Sequence, residues 1–235
     1  MINQKSVSET KIRFKFYKKG EFKYLSHLDI SRMMMRALNR AELEIKYSQG
    51  YNPKPKINFS LPTPLGIESL AEYADVLLDN DISENKFKKK VNLRLKPQLQ
   101  ITEVKKVIIK TGSLMNEIAI SLFSFKLDTG CSSRHLIGKF YKAVEGDLMV
   151  KSDFSRTIFD LKITPAKENS DIIFLKLFGY AKIFKERDNE FFKFNNFYQF
   201  FGNWLRKYRT SIKDLKKEEL FIIKGNMLKT PMEVI

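Results

Sequence analysis

The segment Tyr47-Ser48-Gln49-Gly50-Tyr51-Asn52-Pro53-Lys54-Pro55-Lys56 gathers side chains suited to one chemistry, the recognition of a phosphate chain with unpaired bases. Lys54 and Lys56 carry ammonium groups. Tyr47 and Tyr51 offer flat faces for stacking, and Gln49 and Asn52 lie between them. Pro53 and Pro55 fix φ while Gly50 leaves the backbone unrestricted, so the segment reads as a shaped surface loop, too rigid for a linker and too polar for a core.

A second cationic set precedes it. Arg32, Arg36 and Arg40 recur every four residues and therefore line one side of a helix, where guanidinium forks suit phosphate oxygens. The same row also fits a solvated face neutralised by Asp29, Glu42 and Glu44. His27 lies at the start of that helix and, with Tyr24, is the one candidate for general acid and base chemistry, as in metal-free RNA cleavage. No paired acid accompanies it and His135 falls in the other half, so finishing the helix start or binding a phosphate is the simpler role for His27. Glu68, Glu72 and Asp75 lie close together, and ion pairing of Glu72 with the cationic loop before it is a sufficient role. No glycine-rich phosphate loop or nucleophile elbow occurs.

The chain of 235 residues carries 43 basic and 27 acidic side chains, a net charge of +16. Residues 1–115 hold 22 of the basic and 12 of the acidic residues, so the first half is the more basic. A field of this sign concentrates polyanions, which makes nucleic acid the default partner. Cys131 is the single cysteine, and this excludes a disulfide framework, a thiolate zinc cage or an iron–sulfur cluster held by this chain alone. The polar stretch Met1 to Thr10 and the shortness of the apolar runs lead to the expectation of a cytoplasmic protein without membrane contact.

These residues need elements to hold them. Lys11 to Phe16 alternates, with Ile12, Phe14 and Phe16 on one face and cations on the other, predicting a strand with a basic outer face. A helix is predicted from His27 to Ala41, with Ser26 as N-cap, Asp29 completing a capping box, and Ile30, Met34, Ala37, Leu38 and Ala41 turned inward. Strands follow over Lys56 to Leu61 and Glu72 to Leu78, then a helix from Ser83 to Leu95 and a strand from Leu99 to Ile109. This βαββαβ order is ferredoxin-like.

After Thr111-Gly112-Ser113 the order is expected to recur. Strands are read at Glu117 to Leu127, Thr157 to Ile163, Ile172 to Lys182 and Leu220 to Ile223, with helices at Ser133 to Glu145 and Asn196 to Tyr208. In the latter, Phe197, Phe200, Phe201, Trp204 and Tyr208 are spaced as a core or inter-domain face; Phe191 and Phe192 flank a charged turn. The expected fold class is α+β, with two ferredoxin-like halves of antiparallel sheet, residues 1–112 and 113–235.

Leu25-Ser26-His27-Leu28-Asp29, Arg32, Arg36-Ala37, Arg40-Ala41, the loop from Tyr47 to Pro53, Pro55-Lys56, Phe59, Leu65-Gly66, Ser69, Glu72-Tyr73 and Asp75 together resemble the bacterial radical-SAM-linked protein family, a domain of unknown function. Gly225, Leu228 and Pro231-Met232-Glu233 are similar to that family's ending. Members are commonly fused to, or encoded beside, a radical SAM protein, and some lie near genes for ribosomal proteins and an RNase. The resemblance implies an accessory or substrate-presenting role toward RNA, such as rRNA or tRNA, or the translation apparatus. It also implies that iron–sulfur cluster and S-adenosylmethionine reside on the partner, with no cofactor on this chain. Lys54 stands where the family loop usually carries histidine, which removes proton transfer from that position and leaves a cationic role.

The expectation is therefore a non-catalytic RNA-binding adaptor for a radical SAM enzyme that uses Arg32, Arg36, Arg40, Tyr47, Gln49, Tyr51, Asn52, Lys54 and Lys56. The alternatives are a metal-independent endoribonuclease using His27 and a protein–protein scaffold without RNA contact.

Overall fold

The alternation of Ile12, Phe14 and Phe16 decides the first layer of the molecule, because all three sit on the face of strand β1 (Thr10–Lys18) that packs beneath two helices. In a computed structural model, residues 9–109, 112–130, 157–166, 171–181 and 193–234 are described, together with 138, 142, 143 and 146. The chain divides into two compact units, one formed by Met1–Ile118 with Lys224–Ile235 and the other by Ala119–Ile223.

In the first unit β1 is followed by helix α1 (His27–Arg40), strands β2 (Ile57–Phe59) and β3 (Glu68–Leu78), helix α2 (Glu84–Asn92) and strand β4 (Leu99–Val107). The strands lie side by side as β4-β1-β3-β2, every neighbour antiparallel. This is the ferredoxin-like arrangement that the element order predicts. Met34, Ala37 and Leu38 of α1 and Phe87 and Val91 of α2 close over Ile12, Phe14 and Phe16. The Phe14 and Phe87 rings meet at a centroid distance of 5.7 Å. The helix predicted from His27 to Ala41 ends at Arg40, with Ala41 as its C-cap. Strand β3 begins at Glu68, four residues before the predicted start, since Ser69 to Leu78 is held along β1 by cross-strand pairing rather than by its own pattern.

The opposite face of β1 differs from expectation. Lys11 and Arg13 are not solvated: Lys11 is 9% exposed and Arg13 is fully buried. The register sets Arg13 opposite Asp75 and Lys11 opposite Leu77 on β3, and the C-terminal residues Pro231 and Val234 lie over the Arg13 guanidinium. A basic strand face is thus part of the interior because a carboxylate from a strand 62 residues away neutralises it.

In the second unit, β5 (Ile120–Asp128), β6 (Ile158–Pro165), β7 (Ile172–Tyr180) and β8 (Ser211–Lys224) repeat the lateral order as β8-β5-β7-β6, again antiparallel. The strand predicted from Glu117 begins only at Ile120, because Glu117 ends a single helical turn of the first unit, α3 (Leu114–Glu117). Helix α4 (Phe194–Lys207) buries Phe197, Phe201 and Trp204, and Phe201 meets Phe125 edge-on at 5.3 Å, so these three rings are core while Phe200 and Tyr208 are partly buried and Tyr198 is exposed. Strand β8 is much longer than the predicted Leu220 to Ile223. Its first half, Ser211 to Lys217, is polar, and only backbone pairing with β5 makes it a strand. The helix predicted over Ser133 to Glu145 falls almost wholly outside the described residues, as do Cys131, His135, Phe191 and Phe192. Among the described residues no helix is long and apolar enough to cross a membrane.

Candidate nucleic-acid interface

Helix α1 is locally over-determined at its start. The Ser26 hydroxyl accepts from the Asp29 amide at 3.1 Å and donates to the Asp29 carboxylate at 2.6 Å, while the Ser26 amide donates to the same carboxylate at 3.3 Å. The hydroxyl bond holds the Asp29 carboxyl below its ordinary range, and the charges of Arg32 and Arg36 act in the same direction. With Ile30, Met34, Ala37 and Leu38 facing the core, Arg32, Arg36 and Arg40 are exposed. They do not act as one row. Arg40 donates to the carbonyls of Arg36 at 3.3 Å and Arg94 at 3.4 Å, so its guanidinium leans across the end of α2.

The tyrosine and lysine loop is a hairpin. Lys46 and Lys56 exchange backbone bonds with each other and with Leu77 of β3: Lys46 N–H to Leu77 O at 2.8 Å, Lys56 N–H to Lys46 O at 2.7 Å, Leu77 N–H to Lys56 O at 3.0 Å. Above them Tyr47 pairs with Pro55. The Ser48 amide then donates to Lys54 O at 2.8 Å, and the Lys54 amide donates to Ser48 Oγ at 2.9 Å. The turn at the tip runs through Gly50 at φ +126°, a conformation that L side chains rarely adopt. These bonds hold Gln49, Tyr51 and Asn52 out in solvent, with Tyr51 fully exposed. Tyr47 turns back toward the helix, its hydroxyl 3.4 Å from Asn39 Oδ1.

Beneath the hairpin, on the sheet face away from the helices, lies a cleft of about 420 Å³. Lys54 and Lys56 form one wall, and Lys11, Asn58, Asp75 and Leu77 lie along the strands. Asp75 takes the Arg13 guanidinium at 2.8 and 3.0 Å and the Lys11 ammonium at 3.2 Å. Among the described residues no carboxylate pairs with Lys54 or Lys56. Lys11, Arg13 and Asn58 were not among the expected site residues. Their only signal in sequence is parity along two strands, which acquires meaning once the strands are placed side by side.

The His27 ring sits edge-on against Phe59 at 5.7 Å, and the Tyr24 ring lies 5.2 Å below the Lys23 ammonium. The three neighbouring carboxylates are engaged within the fold: Glu68 accepts from the Gly20 amide at 2.8 Å, Glu72 from the Thr63 hydroxyl, and Asp75 from Arg13 and Lys11. Among the described residues no group of three or more His, Cys, Asp or Glu side chains is placed to hold a metal ion.

Residues 11–158 match a protein family described as "Uncharacterized protein conserved in bacteria (DUF2344)". No curated protein matches the chain. Among solved structures, an unknown protein from Galdieria sulphuraria is similar at 10% identity and a TM-score of 0.26, over 89% of this chain and 98% of that one. A candidate glycine cleavage system transcriptional repressor is similar at 7% identity and a TM-score of 0.24, over 89% of this chain and 99% of that one.

Proposed function

The chain belongs to this family of uncharacterized proteins conserved in bacteria, and on that premise we propose that it is a non-catalytic RNA-binding accessory protein whose first unit grips single-stranded or looped RNA. One observation carries the reading: Tyr51 stands fully exposed at the tip of a hydrogen-bonded hairpin whose own lysines, Lys54 and Lys56, have no carboxylate partner among the described residues. A large aromatic ring held in water by a braced backbone has no packing role. Beside two ammoniums it has the composition of a stacking platform next to a phosphate track. Arg32 and Arg36 on the outer side of α1 extend the positive surface, and the net charge of +16 draws a polyanion toward it.

The partner belongs to the same proposal. The resemblance of residues 25–75 to radical-SAM-linked proteins supports a radical SAM enzyme as the protein to which the RNA is presented, with cluster and S-adenosylmethionine on that enzyme. Co-purification that persists after RNase treatment is the expected result, and loss of the complex with the RNA speaks against direct contact.

RNA binding is tested by titrating total cellular RNA over a range of salt. With about 4 phosphates contacted, the log–log slope is near −3 for single strands. Tyr51→Ala weakens binding by roughly tenfold, the effect of about 1–3 kcal/mol of lost stacking. Salt-independent or undetectable binding overturns the proposal. Incubating RNA with the protein in chelator leaves it uncleaved under this reading, whereas defined fragments that disappear with His27→Ala make the protein a nuclease instead.

A further inference from the structure

We propose that the cleft under the hairpin seats a single nucleotide of the bound RNA, with its phosphate at Lys54 and Lys56 and its base against Asn58 and Leu77. The inference rests on the RNA-binding reading and adds to it the place where one unstacked residue is held.

Volume is the first ground. The cleft measures about 420 Å³, within the range of about 300–1,000 Å³ typical of small-molecule sites. Charge is the second. Three ammoniums, from Lys11, Lys54 and Lys56, face one carboxylate, Asp75. That carboxylate already accepts two hydrogen bonds from Arg13, a fully buried guanidinium, and is paired with Lys11 at 3.2 Å. Its charge is therefore matched within the fold, and the ammoniums of Lys54 and Lys56 are left to an anion from outside. Arg13 and Asp75 anchor the floor of the cleft rather than touch the ligand.

The third ground is that the walls are not uniformly charged. The pairing of β2 with β3 sets Asn58 opposite Asp75, and just before β2 the Lys56 carbonyl accepts from the Leu77 amide at 3.0 Å. Asn58 is exposed and offers both a donor pair and an acceptor, the combination needed to read a base edge. Leu77 and the half-exposed Ile109 provide apolar surface beside it. A site for bare phosphate needs the lysines alone; an apolar wall with a neutral amide next to the lysines matches a phosphate that carries a base. The hairpin that forms this wall also carries Tyr51, so a base stacked there and a nucleotide seated in the cleft are served by one rigid segment.

The full chain is titrated with uridine or adenosine 5′-monophosphate, and inorganic phosphate and the free nucleosides serve as comparison probes, followed by amide chemical shifts. The expected result is perturbation centred on Lys54, Asn58 and Leu77, with the monophosphates binding about tenfold more tightly than inorganic phosphate, the effect of one added hydrogen-bonded, apolar contact set. Lys54→Ala with Lys56→Ala weakens nucleotide and phosphate together, and Asn58→Ala weakens the nucleotide alone. Equal affinity for nucleotide and phosphate, or shifts centred elsewhere, overturns the assignment. RNA binding that persists while no monophosphate binds the cleft also overturns it and leaves the RNA-binding reading standing. Monophosphate binding without RNA binding upholds the site and removes that reading.

Discussion

Arg13 is fully buried, and every direction of its guanidinium is answered: two bonds to Asp75, one to Pro231 O at 3.0 Å and a longer one to Val234 O at 3.4 Å, with Glu117 3.8 Å away. A charge held this way is costly to strand. Asp75→Ala is expected to destabilise the protein by roughly 3–5 kcal/mol, because an uncompensated guanidinium remains inside. Replacing both partners at once, Arg13→Met with Asp75→Leu, is expected to recover most of that loss. Chemical denaturation of the three variants checks it, and a double variant as unstable as the single one means the pair does more than neutralise itself. Nothing near Arg13 in sequence announces this role, since its partners lie 62 and 218 residues away.

At the scale of elements, α1 and the hairpin are braced by different means. The start of α1 is a closed local circuit between Ser26 and Asp29, spanning four residues, so it could be read directly from sequence. Ser26→Ala should cost about 1 kcal/mol at neutral pH. The Asp29 carboxyl has a folded pKa below its unfolded one, so its contribution is present above the unfolded value and is lost as pH falls through the lower folded value. An acid titration of stability should thus show a shallower limb in Ser26→Ala than in the wild type. The hairpin depends on backbone geometry at one residue. Gly50→Ala forces a side chain into φ +126°, a strain of order 1–3 kcal/mol where the tip has little packing to resist it. Amide exchange at Ser48 and Lys54 should accelerate while the melting temperature barely moves, and unchanged exchange would show that the turn tolerates the substitution.

Over the whole molecule, the first unit is completed by residues from the far end of the chain. Residues Lys224–Ile235 belong to it, and Met232 is buried there while Pro231 and Val234 cover Arg13. Ending the chain at Lys229 is expected to lower the unfolding free energy, read from chemical denaturation, by roughly 1–3 kcal/mol, the effect of leaving buried charged donors without acceptors. Amides of β1 beside Arg13 should lose protection first. A truncated chain with unaltered β1 protection would mean that water replaces the carbonyls without cost.

Local patterns were enough to determine the α+β class, the ferredoxin-like order of the first unit, the capped start of α1 and the inward face of the aromatic helix α4. Each of these depends on residues within a few positions of one another, where periodicity and side-chain chemistry act directly. The extent of β8 was not legible, because Ser211 to Lys217 is polar and becomes a strand only through the backbone of β5. For the candidate site, the composition of the hairpin was visible in the chain and its surroundings were not. Cross-strand register brought Lys11, Arg13 and Asn58 around Asp75, turned an apparently solvated strand face into the interior and left a cationic cleft beside it. Burial and charge pairing are properties of which distant residues meet, and that is decided only when the strands are aligned.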